Sequence, residues 1–596
     1  MKLFWRALKR YKGLATAAIL LLLVDVAGSL FVPTIQSLIA NDGVGAGNTE
    51  YILNMGVLML VVSIVASAAA VYGNYLSAKL AANVGRDIRN SVYDSSLAFS
   101  NNDFEKFGTG SMITRTMSDV TVVQETIILA MQQLLPAPAV AILGTILTFS
   151  IDVHCGILML VVVAVVLVVA ALSIRYNAPL FRRMQSLIDR MNTVLRESIV
   201  GVRVVRAFNK EGREEERSGN VFSDYAELAI KVNFVYASVD SFSCCIMNIV
   251  EALFMWLGGN EVGAAAMEIG DISAIVQYAM ITLSYIMLAQ FSLFMMPRAN
   301  ACLERCEEVV DTIPEIQDGA TGEVLAAPAK GGAAVGSDAG AAEAAETNEV
   351  APDVVAAFDH MSFRYADAEE LTLHDIDFCC RRGQTTAIIG STGSGKSTVA
   401  KMLLRLLDAS EGSVVFCGHD VRSMTQHELR DHIAYVPQRA WLFSGTIESN
   451  LRYGREDATE EELRHALDVA QAGFVYDLPQ GLEAPVSQGG TNFSGGQRQR
   501  LSIARALVKP ADLYIFDDSF SALDFKTDAA LRRALEPEMR DAAALIIAQR
   551  VSTIAHADQI VVLKDGEVQG VGTHEELLET CPVYQGIAAS QAKGGE

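Results

Sequence analysis

The chain has 596 residues, of which 51% are hydrophobic, with a mean hydropathy of +0.28 and a formal net charge of −23. That hydropathy is high for a soluble protein, and the acidic balance with no Lys/Arg-rich tract argues against nucleic-acid binding. The nine cysteines follow neither a disulfide framework nor a metal-ligand spacing, so Cys244-Cys245 and Cys379-Cys380 are expected to be small buried hydrophobes.

Lys2, Arg6, Lys9, Arg10 and Lys12 precede a first apolar run at about 14–38. The run is longer than a signal-peptide core and lacks a cleavage site, so it is expected to persist as a membrane helix. Five further runs follow near 52–77, 124–150, 155–177, 236–259 and 272–296. Each approaches the roughly 20 residues that span a bilayer. The short loops at Asn41-Asp42, Asp152–His154 and Glu261–Asp271 carry no Lys or Arg. The longer connections carry Lys79, Arg86, Arg89, Lys106, Arg182, Arg183, Arg203 and Arg206. Cationic loops stay on the cytoplasmic side, so the pattern predicts a multi-pass protein with six spans and both termini inside.

The connections after the second and fourth spans are too long for loops and too polar for spans. They are expected to be helices running beyond the membrane. At their far ends, Asn101–Gly110 and Gly201–Phe208 combine aromatics, charge and a turn-forming glycine. That composition suits a short helix docking into a groove on another domain.

Ionisable side chains within spans are costly and usually face the bundle interior. Asp25 and Glu251 are such residues, joined by Gln132, Gln133 and Asn248. They are read either as part of a cationic-substrate pathway or as interhelical hydrogen-bonding groups. The sixth run holds Tyr278, Tyr285, Met287, Phe291 and Phe294, a soft surface suited to apolar ligands or to lipid.

Residues 1–313 are thus expected to form an all-α, six-helix transmembrane domain. Residues 314–352 are rich in Ala, Gly and Glu and lack aromatics, which predicts a flexible linker. From 353 to 596, strands alternate with helices, as in a parallel α/β domain.

Gly390-Ser391-Thr392-Gly393-Ser394-Gly395-Lys396-Ser397 follows the strand-like Thr386–Ile389, and Thr398 continues into a helix. This matches the G-x-x-x-x-G-K-[ST] phosphate loop in its required context. The loop amides and helix N-terminus are expected to cradle the phosphates of ATP. Lys396 would reach the β- and γ-phosphates and Ser397 would ligate Mg²⁺. Downstream, the β-prone Leu513–Phe516 ends in Asp517 and Asp518. Asp517 is expected to serve magnesium, and Asp518 stands where a base should polarise the attacking water. A glutamate would reach about 1.5 Å further, one C–C bond. A misplacement near 1 Å can cost ~10²-fold, so slow hydrolysis is expected.

The pattern as a whole resembles the ATP-binding cassette (ABC) transporter family over essentially the entire chain. The family signature Leu-Ser-Gly-Gly-Gln has its counterpart in Phe493-Ser494-Gly495-Gly496-Gln497. The resemblance implies that Tyr365 stacks on adenine and that Gln438 links magnesium to the membrane domain. It also implies that Ser521–Asp524 is the D-loop, ending in Asp524. Gln549 occupies the position of the switch histidine. Six spans ahead of the cassette, with Asn101–Gly110 and Gly201–Phe208 resembling coupling helices, imply an exporter-type half-transporter in a bacterial plasma membrane.

In that family two cassettes enclose two ATP molecules, each between one chain's phosphate loop and the other's signature. With Asp518 and Gln549 altered and Ser494–Gln497 intact, the resemblance implies a heterodimer. Its different partner would carry Glu and His at its own site, and the cargo would be a small amphipathic or apolar molecule. A homodimer with two slow sites, an importer on the exporter fold (for a siderophore-like cargo) and an ATP-gated protein that does not pump are the alternatives.

Overall fold

A computed structural model describes residues 2–264, 266–318, 353–365 and 368–593. Most of the expected linker, 319–352, lies outside the described residues. The chain divides into two compact units: Met1–Ala98 with Glu105–Ile313, and Phe99–Phe104 with Pro314–Glu596.

The first unit is helical, as an apolar environment requires, because a helix satisfies its backbone polar groups within itself. Among the described residues, five helices are long and apolar enough to cross a membrane: Lys12–Val44, Thr49–Ala98, Thr109–Ile151, Ser241–Gly263 and Ile269–Asp311. The run expected at 155–177 is represented among the described residues by a shorter apolar stretch, Val153–Val169. The expected six spans are therefore five by this criterion, plus that stretch. The helices outrun the bilayer. Thr49–Ala98 has 50 residues, hence a length of roughly 75 Å at 1.5 Å per residue, against a hydrocarbon core of roughly 30 Å.

Packing in this unit relies on small residues. A Cβ on Gly28 would lie 2.5 Å from the Ala66 Cβ, and one on Gly144 would lie 2.4 Å from the Thr282 hydroxyl. Close backbone approach of this kind is how membrane helices associate where hydrophobicity offers no net drive. Val26, Leu30, Val140, Ala274 and Tyr278 form one buried cluster beside these contacts. Thr34 and Tyr278 share a 2.7 Å hydroxyl–hydroxyl bond there. Asp25 is half-buried in the first span, whereas Glu251 is exposed. The cysteine pairs divide as well: Cys380 is buried and Cys379 half-buried, but Cys245 is exposed because adjacent helical residues point about 100° apart.

The helices Val153–Val200 and Glu211–Gly263 pack together and are joined through the short helix Val202–Ala207. Around that tip Val200, Val204 and Phe208 are 80%, 61% and 71% exposed.

The second unit is α/β. Its strands are β1 (Val354–Phe363), β2 (Leu373–Arg381), β3 (Thr385–Gly390), β4 (Glu411–Phe416), β5 (His419–Asp420) and β6 (Ile433–Val436). They continue as β7 (Gly445–Thr446), β8 (Pro485–Val486), β9 (Leu513–Asp517), β10 (Ala543–Ala548), β11 (Gln559–Lys564) and β12 (Glu567–Gly572). The main sheet has the order β12-β11-β3-β10-β9-β6, with β11, β3, β10, β9 and β6 mutually parallel and β12 antiparallel at the edge. Every residue of β9 and β10 is buried. Parallel strands covered on both faces read as continuous apolar runs, which is why Leu513–Phe516 and Ala543–Ala548 lack polar alternation. A second, antiparallel sheet has the order β2-β1-β4-β5.

Residues 314–318 are not a free part of the linker. Ile316 is buried, the Gln317 carbonyl accepts from Arg405 at 2.7 Å, and Asp318 accepts from the Gln426 amide at 2.9 Å. The Glu315 amide bonds Asp103 at 2.9 Å, which ties residues 99–104 into this unit.

Candidate ATP site

The phosphate loop links β3 to the helix Lys396–Leu403, so it lies at the carboxyl end of a central parallel strand. That edge of an open α/β sheet is where ligands bind. The loop's curl depends on glycine. Gly393 and Gly395 have φ of +86° and +94°, and a Cβ on Gly395 would sit 2.5 Å from Leu373 Cδ2. Gly395→Ala combines steric overlap with a conformation costing ~1–3 kcal/mol. It is expected to lower Mg-ATP affinity by about tenfold or more; equilibrium nucleotide binding at wild-type affinity would refute this.

Lys396 is buried, and its ammonium donates to the carbonyls of Gly390 at 2.9 Å and Ser391 at 2.6 Å. Burial lowers its pKa, opposed by the charges of Asp518 and Asp517. An anionic phosphate entering the loop would restore the balance in favour of the ammonium. Thr398 is buried behind it, and its hydroxyl lies 3.4 Å from that of Tyr365. The Tyr365 ring meets Phe363 edge-on at 4.8 Å and is half-buried.

Two carboxylates terminate β9 in different surroundings. Asp517 is buried and accepts from the Ser397 hydroxyl at 2.9 Å and from the Tyr435 hydroxyl at 3.3 Å. Burial raises its pKa; those two hydrogen bonds oppose the rise, and the neighbouring Asp518 charge adds to it. A hydroxyl and a carboxylate held together suit a hard cation such as Mg²⁺, which takes oxygen ligands. Ser397 and Asp517 would hold it, and the ion would neutralise charge on the transferring phosphoryl group.

Asp518 has a φ of +48°, a left-handed conformation that Asp tolerates better than most residues. Its amide donates to the Ile547 carbonyl at 2.9 Å, anchoring the turn to β10. Its Oδ2 accepts from the Gln549 amide at 2.9 Å and from the Gln438 amide at 3.2 Å. The structure thus brings Asp518, Gln549 and Gln438 together through residues 31 and 80 positions away in the chain.

The signature segment is built as a helix start. Ser494 caps Gly495–Val508, with its hydroxyl accepting from the Gln497 amide at 3.3 Å. The Gln497 side chain returns a bond to the Ser494 amide at 2.9 Å. This capping box leaves the positive end of a 14-residue helix facing outward beside Gly495 and Gly496. Asp524 caps the next helix through Thr527. Sequence reasoning missed Tyr435, because its contact with Asp517 exists only through the pairing of β6 with β9.

A helical membrane unit joined to a P-loop ATPase that also presents a capped serine–glycine signature defines a membrane-embedded, nucleotide-driven machine. Residues 15–287 match the family model described as the ABC transporter transmembrane region, and residues 373–521 match the one described as ABC transporter. An uncharacterised ABC transporter ATP-binding protein of Mycobacterium tuberculosis is 36% identical over 98% of this chain and 97% of its own length. An ATP-dependent lipid A-core flippase of Desulfotalea psychrophila is 31% identical over 88% of each chain. The ATP-bound structure of a bacterial Atm1-family ABC exporter superposes with a TM-score of 0.80 at 23% identity, covering 98% of both chains. The chain belongs to the ABC transporter family and has the exporter-type fold. Its cassette is accordingly an ATP-binding one, and its apolar helices embed it in a membrane.

Proposed function

We propose that this chain is one half of a heterodimeric exporter whose own phosphate-loop site binds Mg-ATP and hydrolyses it slowly. The observation that carries this reading is the setting of Asp518. The carboxylate placed to polarise water is one methylene short of glutamate, and its Oδ2 is engaged by the amides of Gln438 and Gln549. An amide donor at position 549 cannot change protonation state as an imidazole does.

Ser494, Gly495, Gly496 and Gln497 retain an undamaged helix start that would complete the partner's site. The partner would supply Glu and His where this chain has Asp518 and Gln549, and its own signature would be the altered one. The exposed tip Val200–Phe208 would engage a cassette and transmit its movement to the spans. The protein would reside in the plasma membrane with both termini cytoplasmic, exporting a small amphipathic or apolar molecule.

Gentle purification of the tagged chain from its native membrane, followed by mass spectrometry, tests the assembly. A second half-transporter with Glu and His at the equivalent positions is the expected finding. Recovery of this chain alone would establish a homodimer and remove the proposal.

A further inference from the structure

The last helix of the chain reaches the active edge of the cassette. Helix Pro582–Lys593 is anchored by Tyr584, which is fully buried and shares a 2.6 Å bond with His574. Val583 and Ile587 pack on the core beside it. Near its end, the Gln591 amide makes two bonds to one short stretch of main chain. Its Nε2 donates to the Gln549 carbonyl at 2.7 Å, and its Oε1 accepts from the Val551 amide at 2.8 Å.

A side-chain amide is a copy of a peptide group, so Gln591 pairs with the backbone flanking Arg550 as a neighbouring strand would. The pairing also solves a local problem. Val551 opens the helix Val551–Ile554, and its N-cap residue Arg550 makes no side-chain capping bond. The first amides of a helix have no partner within it, so an outside acceptor is required. Gln591 supplies that acceptor from 40 residues away.

The residue whose carbonyl Gln591 holds is also the residue whose side chain bonds Asp518. We infer that Gln591 is a positioning residue: by fixing the main chain at 549 and 551, it sets the reach of the Gln549 amide to Asp518. The C-terminal helix thereby becomes a control element for hydrolysis at this chain's own phosphate-loop site. The inference concerns one cassette and holds whether the transporter is a heterodimer or a homodimer.

The test uses the full chain in its native assembly with Mg-ATP, reading single-turnover hydrolysis, ATP affinity and hydrogen exchange at Val551. Gln591→Ala is expected to speed Val551 exchange, leave ATP affinity within about twofold, and change the hydrolysis rate by at least about 2.3-fold, the low end for contacting residues. Gln591→Glu keeps the acceptor for Val551 but sets a carboxylate against the Gln549 carbonyl. It is expected to preserve Val551 protection and still change the rate. The rate effect of Gln591→Ala should vanish in a Gln549→Ala background, where nothing remains to be positioned. Unchanged exchange in Gln591→Ala, or a rate effect that persists undiminished without the Gln549 side chain, would overturn the inference.

Discussion

Replacing Asp518 with Glu and Gln549 with His together is expected to raise hydrolysis at this chain's own phosphate-loop site by about 10²-fold, the scale of a 1 Å correction in placement. The added methylene carries the carboxylate beyond its present bonds with Gln438 and Gln549. The imidazole then offers a group that can switch between donor and acceptor. Asp518→Glu alone should recover only part of the gain, because Gln549 would still hold a fixed amide against the new carboxylate. ATP hydrolysis by the purified assembly checks this. An unchanged rate in the double variant would show that the site is not limited at these two positions, and the slow-site proposal would fall.

Ser494→Ala is expected to have the opposite weight. If this signature completes the partner's competent site, removing its hydroxyl takes away a donor aimed at the phosphoryl group. Loss of one such donor costs about 10²–10³-fold elsewhere. It also removes the cap on the Gln497 amide. Lys396→Ala, which empties this chain's own slow site, should leave the larger part of hydrolysis in place. Two equivalent sites would instead lose activity together in both variants, so comparing the two in one preparation separates the assemblies. Equal losses would contradict the asymmetric proposal.

The membrane-crossing runs and the phosphate loop were legible because each depends on residues close in sequence. A bilayer-length apolar helix satisfies its own backbone, and a strand–loop–helix turn spans about 20 residues, from Thr385 to Leu403. The fourth run is harder to delimit: residues 155–177 look alike as text, whereas the stretch that qualifies among the described residues is Val153–Val169. Pro314–Asp318 read as linker because composition carries no information about docking, yet Arg405 and Gln426 hold Gln317 and Asp318. Cys244-Cys245 read as a buried pair because composition does not specify helical phase.

Asp518 and Gln549 could be singled out from the sequence by what stands at each position, but not as a bonded pair. Their contact depends on β9 and β10 pairing in parallel with Ile547 opposite Asp517, which brings both strand ends to one edge. Tyr435 and Gln591 left no local signal at all. The sequence alone determined which chemistry is present, because a phosphate loop, two carboxylates and apolar runs are properties of contiguous residues. Only the tertiary structure decided which groups touch that chemistry, because strand pairing and the docking of a distant helix are set by burial of whole faces and leave no spacing to read.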